Sequence, residues 1–222
     1  WKDGPLKPSA AAVRPWVDRF VEPPAFQRTL LELELREGGW HLREPATLIV
    51  LAGGRSARMG ADKCFLPIDG RPLIERLVRM LAPRFEQVVI SANEPERFDF
   101  LGHTVVPDGV QGAGPLAGVT AALRAARNDL AMVVPCDLPD PDVGLVERLL
   151  RAAEAADGAV PTTAGRPEPL FAAYRRSLIP WAEQALRQGE LRIRALYPRC
   201  NIRNIEMGAG WRLLNLNTPR DY

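Results

Sequence analysis

Thr47-Leu-Ile-Val-Leu-Ala52, running into Gly53-Gly-Arg-Ser-Ala-Arg-Met-Gly60 and then Asp62-Lys63, is the stretch on which the fold turns. It is an apolar strand that ends in a glycine pair and a cluster of basic residues. Glycines let backbone amides approach an anion closely, and the arginines and Lys63 neutralise its charge. This is the pattern of a phosphate-binding loop, and it predicts a nucleotide or a phosphorylated substrate. Two better-known phosphate patterns do not fit. G-x-x-x-x-G-K-[ST] fails because Arg58 stands five residues after Gly53 and Met59 five after Gly54, and G-x-G-x-x-G fails as well. For this segment alone, the plainer alternative is a tight turn with solvated arginines.

Outward from this strand, apolar runs and helical patterns alternate. Strands are expected at 47–52, 87–92, 103–106 and 130–135, with helices at 72–82, 116–127 and 142–156. In the first helix Leu73, Ile74, Leu77, Val78 and Leu81 recur at spacings of three and four, which marks a buried face. Strands alternating with helices over short connections predict an α/β fold: a Rossmann-like, doubly wound, mostly parallel sheet. After 157 the pattern loosens into strands at 158–162 and 169–174 around Pro167 and Pro169, a helix at 177–188, a helical stretch at 192–197 and a strand at 201–207. Leu213-Leu-Asn-Leu-Asn217 follows, and Thr218-Pro219 has the form of a helix start. The chain ends at Tyr222, so a final helix is expected to have been cut off. With Trp1 in place of Met, a trimmed start is expected.

Residues 1–45 read as an N-terminal extension of unassigned role. Five prolines break its first half, and Leu31-Glu-Leu-Glu-Leu35, Glu37-Gly-Gly39 and Trp40-His-Leu42 predict a β-hairpin. Residues 46–222 form the expected catalytic domain. At 222 residues one domain with a short appendage is the natural count. The net charge of +2, with both signs mixed along the chain, argues against a nucleic-acid partner. No apolar stretch approaches the ~18 residues of a membrane span. Cys64, Cys136 and Cys200 are widely spaced, and with only His41 and His103 they make no zinc pattern. Sparse, odd cysteines fit a reducing cytoplasm.

Three more residues end apolar strands. Asp137 follows Leu130-Ala-Met-Val-Val-Pro-Cys136, where a carboxylate is well placed to hold Mg²⁺ together with phosphate oxygens and water. Asp108 follows Thr104-Val-Val-Pro107 and precedes a glycine-rich loop that feeds a helix, a second anion-friendly place. Asn93 follows Val88-Val-Ile-Ser-Ala92 and has an amide able to both donate to and accept from a base or ribose. Each residue alone also fits a turn or cap. Together, four successive strands ending in a basic Gly loop, an Asn, an Asp and an Asp predict one site on one sheet edge.

These segments resemble the molybdenum cofactor guanylyltransferase family within the wider nucleotidyltransferase group. Leu51-Ala-Gly-Gly-x-Ser-x-Arg-Met-Gly60-x-Asp-Lys63 matches the group's signature loop. Gly70-Arg-Pro-Leu73, Asn93, Asp108, Gly114-Pro-Leu-Ala-Gly118, Pro135-Cys-Asp-Leu-Pro139, Pro167-Glu-Pro-Leu170 and Asn215-Leu-Asn-Thr-Pro219 fall in family positions. The resemblance covers about 46–222 and implies a nucleotide-diphospho-sugar transferase-like three-layer sandwich. It also implies transfer of GMP from Mg-GTP to molybdopterin-bound molybdenum, with release of pyrophosphate. Leu51, Ala52, Gly53, Gly54, Lys63, Asn93, Asp108 and Asp137 would contact GTP, and Asp137 would hold Mg²⁺. Lys63 and Arg58 would neutralise the β- and γ-phosphates. Pro169, Asn215 and Asn217 would face the acceptor, and protein partners would deliver and receive the cofactor. A cytidylyltransferase for the same acceptor, another nucleotidyltransferase and a non-catalytic nucleotide-binding module of a longer molybdenum-handling protein are the competing assignments.

Overall fold

In the computed structural model, the described residues are 32–36, 39–53, 62–108, 114–208, 210–213 and 216, with side chains described from Glu44 onward. Gly54, Arg58, Asn215, Asn217, the Thr218-Pro219 helix start and residues 1–31 lie outside this set. The centre of the fold is β2 (Gly39–Leu51), because its second half is flanked on both sides. It pairs in parallel with β5 (Phe85–Ser91) on one side and with β7 (Leu130–Pro135) on the other. Next to β5 lies β6 (Thr104–Val106), also parallel. The parallel order β6-β5-β2-β7 therefore reverses direction at β2, and ligands of open α/β sheets bind at the carboxyl ends of the strands at such a switch point.

Beyond β7 the sheet becomes mixed. β10 (Ala172–Arg175) runs antiparallel to both β7 and β8 (Gly158–Thr163), and β11 (Ile202–Glu206) closes that edge parallel to β8. The sequence predicts a strand over 169–174, but the ladder starts only at Ala172. Upstream, Arg166–Pro167 pairs back onto β8 as β9, and the Phe171 amide turns onto the Glu168 carbonyl at 3.2 Å. Pro169 has no N–H to give to a ladder, and residues 168–171 form the loop between β9 and β10. A small ribbon, β3 (Pro67–Ile68) against β4 (Arg71–Pro72), precedes the first helix.

The two faces of the sheet are sorted by residue parity. Leu48 and Val50 of β2 and Met132 and Val134 of β7 join one core, with α1 (Leu73–Leu81) and α3 (Val143–Ala153). Ile49, Leu51, Ala131 and Val133 join the other, with α2 (Gly114–Ala125) and α4 (Ile179–Arg187). Alternate side chains of a strand point to opposite faces, so strands apolar at every position demand helices on both sides. All five α1 positions expected in its buried face are buried, and Glu75 and Arg79 pair at 2.9 Å on its outer side. Asp142 caps α3 by accepting from the Leu145 amide at 3.0 Å.

The expected hairpin is present: β1 (Glu32–Arg36) pairs antiparallel with the first half of β2, from Glu32↔Arg43 to Arg36↔Gly39. Gly39 thus belongs to the strand. The hairpin grows directly out of the central strand, at the end away from its carboxyl terminus. Between Glu44↔Phe85 and Thr47↔Gln87, β2 advances three residues while β5 advances two, a bulge that contains Pro45.

Gly158 opens β8 where a side chain has no room, since a Cβ there would stand 2.7 Å from Tyr174 Cδ1 and 2.9 Å from the Ala173 carbonyl oxygen. Gly158→Ala is expected to destabilise the protein by about 1–3 kcal/mol, read as a lower urea midpoint with an unchanged m-value. An unchanged midpoint would show that β10 yields freely at this position.

Candidate active site

The strand ladders continue a residue past the strand ends and so draw the terminal residues together. Ala52 donates to the Ser91 carbonyl at 2.8 Å, Ala92 to the Val106 carbonyl at 2.9 Å, and Cys136 to the Leu51 carbonyl at 3.0 Å. Gly53, Asn93, Asp108 and Asp137 consequently emerge along one edge, in two groups.

The first group is built around Asp108. Its Oδ1 accepts from Ser91 Oγ at 2.8 Å, its Oδ2 accepts from Asn93 Nδ2 at 3.2 Å, and its amide donates to Asn93 Oδ1 at 3.0 Å. This locks the orientation of both the carboxylate and the Asn93 amide. Two glycines make the fit possible. A Cβ on Gly53 would lie 3.2 Å from Asp108 Oδ2, and one on Gly118 would lie 2.7 Å from Ser91 Oγ and 2.9 Å from Asp108 Oδ1. Gly118 sits in the first turns of α2, so the helix presses its backbone against the strand ends.

The second group is Lys63 with Asp137. Lys63 Nζ lies 3.4 Å from Asp137 Oδ2, with side-chain exposures of 18% and 16%. The other oxygen, Asp137 Oδ1, is buried and has no hydrogen-bond partner among the described residues. Burial pushes the Asp137 carboxyl above the usual range, and Lys63 pulls it back only in part. A desolvated carboxylate with one idle oxygen is a fit for a hard cation. No group of three or more metal-ligating side chains occurs among the described residues, so phosphate oxygens and water would supply the remaining ligands.

Several further elements position these groups. Asp62 accepts from the Cys64 amide at 3.2 Å and so caps the 3₁₀ turn Lys63–Phe65 that carries Lys63. Arg97 anchors the cap, 2.9 Å from Asp62, and covers the Phe65 ring with its guanidinium carbon 4.5 Å from the centroid. Ser91 closes the apolar run Val88-Val-Ile90 at the end of β5, and that is the available signal for it. Leu191 accepts from the Leu116 amide at 3.3 Å and packs against Gly114, which ties the 190–192 segment to the α2 N-terminus. Nothing in the local sequence pattern indicated that contact.

Of the expected acceptor residues, Pro169 is described. Ala172 pairs with Val133 across an antiparallel ladder, so the 168–171 loop enters the sheet next to the carboxyl-terminal half of β7. The neighbouring Leu216 amide donates to the Asp137 carbonyl at 3.0 Å, bringing that point of the 213–217 segment to the same edge.

A family model described as the MobA-like NTP transferase domain matches residues 48–201, from the central strand to the threshold of β11. The chain belongs to this family. A probable molybdenum cofactor guanylyltransferase of Carboxydothermus hydrogenoformans is 36% identical over 183 residues, covering 79% of this chain and 92% of that protein. A molybdenum cofactor guanylyltransferase of Burkholderia vietnamiensis is 44% identical over 167 residues, covering 69% and 82%. The crystal structure of molybdopterin-guanine dinucleotide biosynthesis protein A from Archaeoglobus fulgidus superposes with a TM-score of 0.67 at 27% identity, covering 79% of this chain and 94% of that one. The α/β, mostly parallel architecture expected from the sequence is that of this NTP transferase group.

Two tests address the geometry. Gly118→Ala is expected to cost about 1–3 kcal/mol in unfolding and to weaken nucleotide binding, because the new methyl displaces Ser91 and Asp108. Unaltered nucleotide affinity would detach the Asp108 group from the site. Asp137 gives a pH signature. Its folded pKa is raised, so its contribution to stability is fully present below the unfolded value of about 3.9 and is lost as the pH rises through the folded value. At neutral pH the ionised carboxylate therefore burdens the cation-free fold. Asp137→Asn should melt no lower than the wild type without divalent cation. Added cation should raise the wild-type melting temperature and leave that of the variant unmoved. An equal rise in both would take the cation away from Asp137.

Proposed function

We propose that this protein transfers GMP from GTP to the terminal phosphate of molybdopterin-bound molybdenum, giving the guanine dinucleotide form of the cofactor and pyrophosphate. The carrying observation is the Lys63–Asp137 pair, with the idle buried oxygen of Asp137, at the carboxyl end of the strands. The guanylyltransferase names of the relatives support the choice of nucleotide and acceptor.

In this reaction an acceptor phosphate oxygen attacks the α-phosphorus of GTP. The bond from that phosphorus to its bridging oxygen breaks, and pyrophosphate leaves with the electron pair. The acceptor oxygen is already ionised, so no general base is required. What the chain must do is hold two anionic reactants in line and stabilise charge moving to the leaving group. Mg²⁺, held by Asp137, would supply neutralisation of phosphate oxygens. Lys63 adds a positive charge on a turn fixed by Asp62. Arg58 and the Gly53-Gly54 amides are assigned to the triphosphate, and the end of β2 at Leu51-Ala52 to the nucleoside. Asp108 and Asn93 offer preset acceptor and donor groups to the base or ribose. Pro169, Asn215 and Asn217 are assigned to the acceptor.

No helix among the described residues is long and apolar enough to cross a membrane. We assign the reaction to the cytoplasm, where the free thiols Cys64, Cys136 and Cys200 stay reduced. Cofactor-delivering and cofactor-receiving proteins are the expected partners.

Pyrophosphate release with each of four nucleoside triphosphates, Mg²⁺ and molybdopterin-loaded acceptor tests this, with the product weighed by mass spectrometry. GTP alone should support turnover, and Asp137→Asn should lower kcat by roughly 100-fold or more. Turnover with CTP alone would reassign the base. GTP binding without pyrophosphate release would make this a binding module. A variant at near wild-type rate in Mg²⁺ would remove the metal assignment.

A further inference from the structure

Two phenols buried behind the site form a directed chain. Tyr174 of β10 is fully buried, its ring packed against Gly158. Its hydroxyl lies 2.8 Å from the Pro169 carbonyl oxygen and 2.9 Å from the Tyr197 hydroxyl. A carbonyl can only accept, so the Tyr174 proton goes to Pro169 and Tyr197 must donate to Tyr174. Burial raises both phenols, Tyr197 to about 12, and both stay protonated at neutral pH. The direction of the chain is therefore fixed.

Its ends reach two different parts of the site. Pro169 belongs to the loop that leads into β10, whose first residue Ala172 pairs with Val133 of β7. Tyr197 belongs to the 3₁₀ turn Ile193–Arg199. Ile193 and Leu196 pin that turn into the core, and Leu191 just upstream holds the N-terminus of α2, the helix that presses on Asp108. The loop that carries Pro169 and the turn behind the α2 N-terminus thus share one hydrogen-bonded strut.

We propose that Tyr174 and Tyr197 are positioning residues that hold the 166–170 loop at a fixed height over the strand ends and so set acceptor affinity independently of nucleotide affinity. This rests on the assignment of Pro169 to the acceptor. Neither hydroxyl takes part in the chemistry.

Tyr197→Phe and Tyr174→Phe, both keeping their rings, are compared with the wild type by steady-state kinetics and by hydrogen exchange. In Tyr197→Phe the KM for molybdopterin-loaded acceptor should rise roughly three- to tenfold, the effect of one lost hydrogen bond. The KM for GTP should stay within about twofold. Amide exchange should quicken in 164–172 and stay unchanged in β7. Tyr174→Phe should act in the same direction and more strongly, because the Pro169 carbonyl loses its donor. Unchanged exchange in 164–172 overturns the proposal. So does faster exchange with both KM values unmoved or moving together, the result expected of a purely structural pair. Failure of the guanylyl-transfer assignment looks different: the wild type itself would release no pyrophosphate with acceptor, and the exchange comparison would still accept or reject the strut.

Discussion

Asp137 stands where burial opposes its charge, and the arrangement of the site follows from how that cost is met. One oxygen faces Lys63 at 3.4 Å, and the other has no partner among the described residues. A single lysine offsets only part of the desolvation, so the carboxyl stays above its ordinary range. Such a group is held ready for a further positive charge. The surrounding structure keeps it that way. The Cys136 and Leu216 amides tie its flanking backbone in place, and Asp62 and Arg97 fix the turn that carries Lys63.

The Asp108 group meets a different constraint, close approach. Four backbones converge where β5, β6 and β2 end and α2 begins, and only glycine at positions 53 and 118 leaves space for the Asp108 carboxylate between them. Ser91 and Asn93 then satisfy both of its oxygens. One carboxylate is thus saturated and rigid while the other is left short of a partner. The first suits recognition of a nucleoside, the second suits a metal.

Much of the fold was legible because the strands are short apolar runs and the helices carry a clear three-and-four spacing. Leu73, Ile74, Leu77, Val78 and Leu81 are all buried as the spacing requires. The antiparallel β10 was not legible as such. Ala172-Ala-Tyr-Arg175 has nothing local that sets its direction, which comes from pairing with β7 and β8. The alternation over 31–42 encodes the hairpin, whereas its continuity with β2 is hidden, because Pro45 looks like a break and instead sits in a bulge.

The sequence by itself determined the alternating strands and helices, the strand-end residues Asn93, Asp108 and Asp137, and the basic glycine loop. These depend on local chemistry: apolar periodicity, glycine freedom and carboxylates placed just past apolar runs. Tertiary structure alone decided that Ser91, Asn93 and Gly118 converge on Asp108, that Lys63 faces Asp137, and that Tyr197 reaches Pro169 through Tyr174. Such contacts join residues 5 to 74 positions apart. Only the order in which strands stack in the sheet brings them within hydrogen-bonding distance, and that order is a property of the packed chain rather than of any segment.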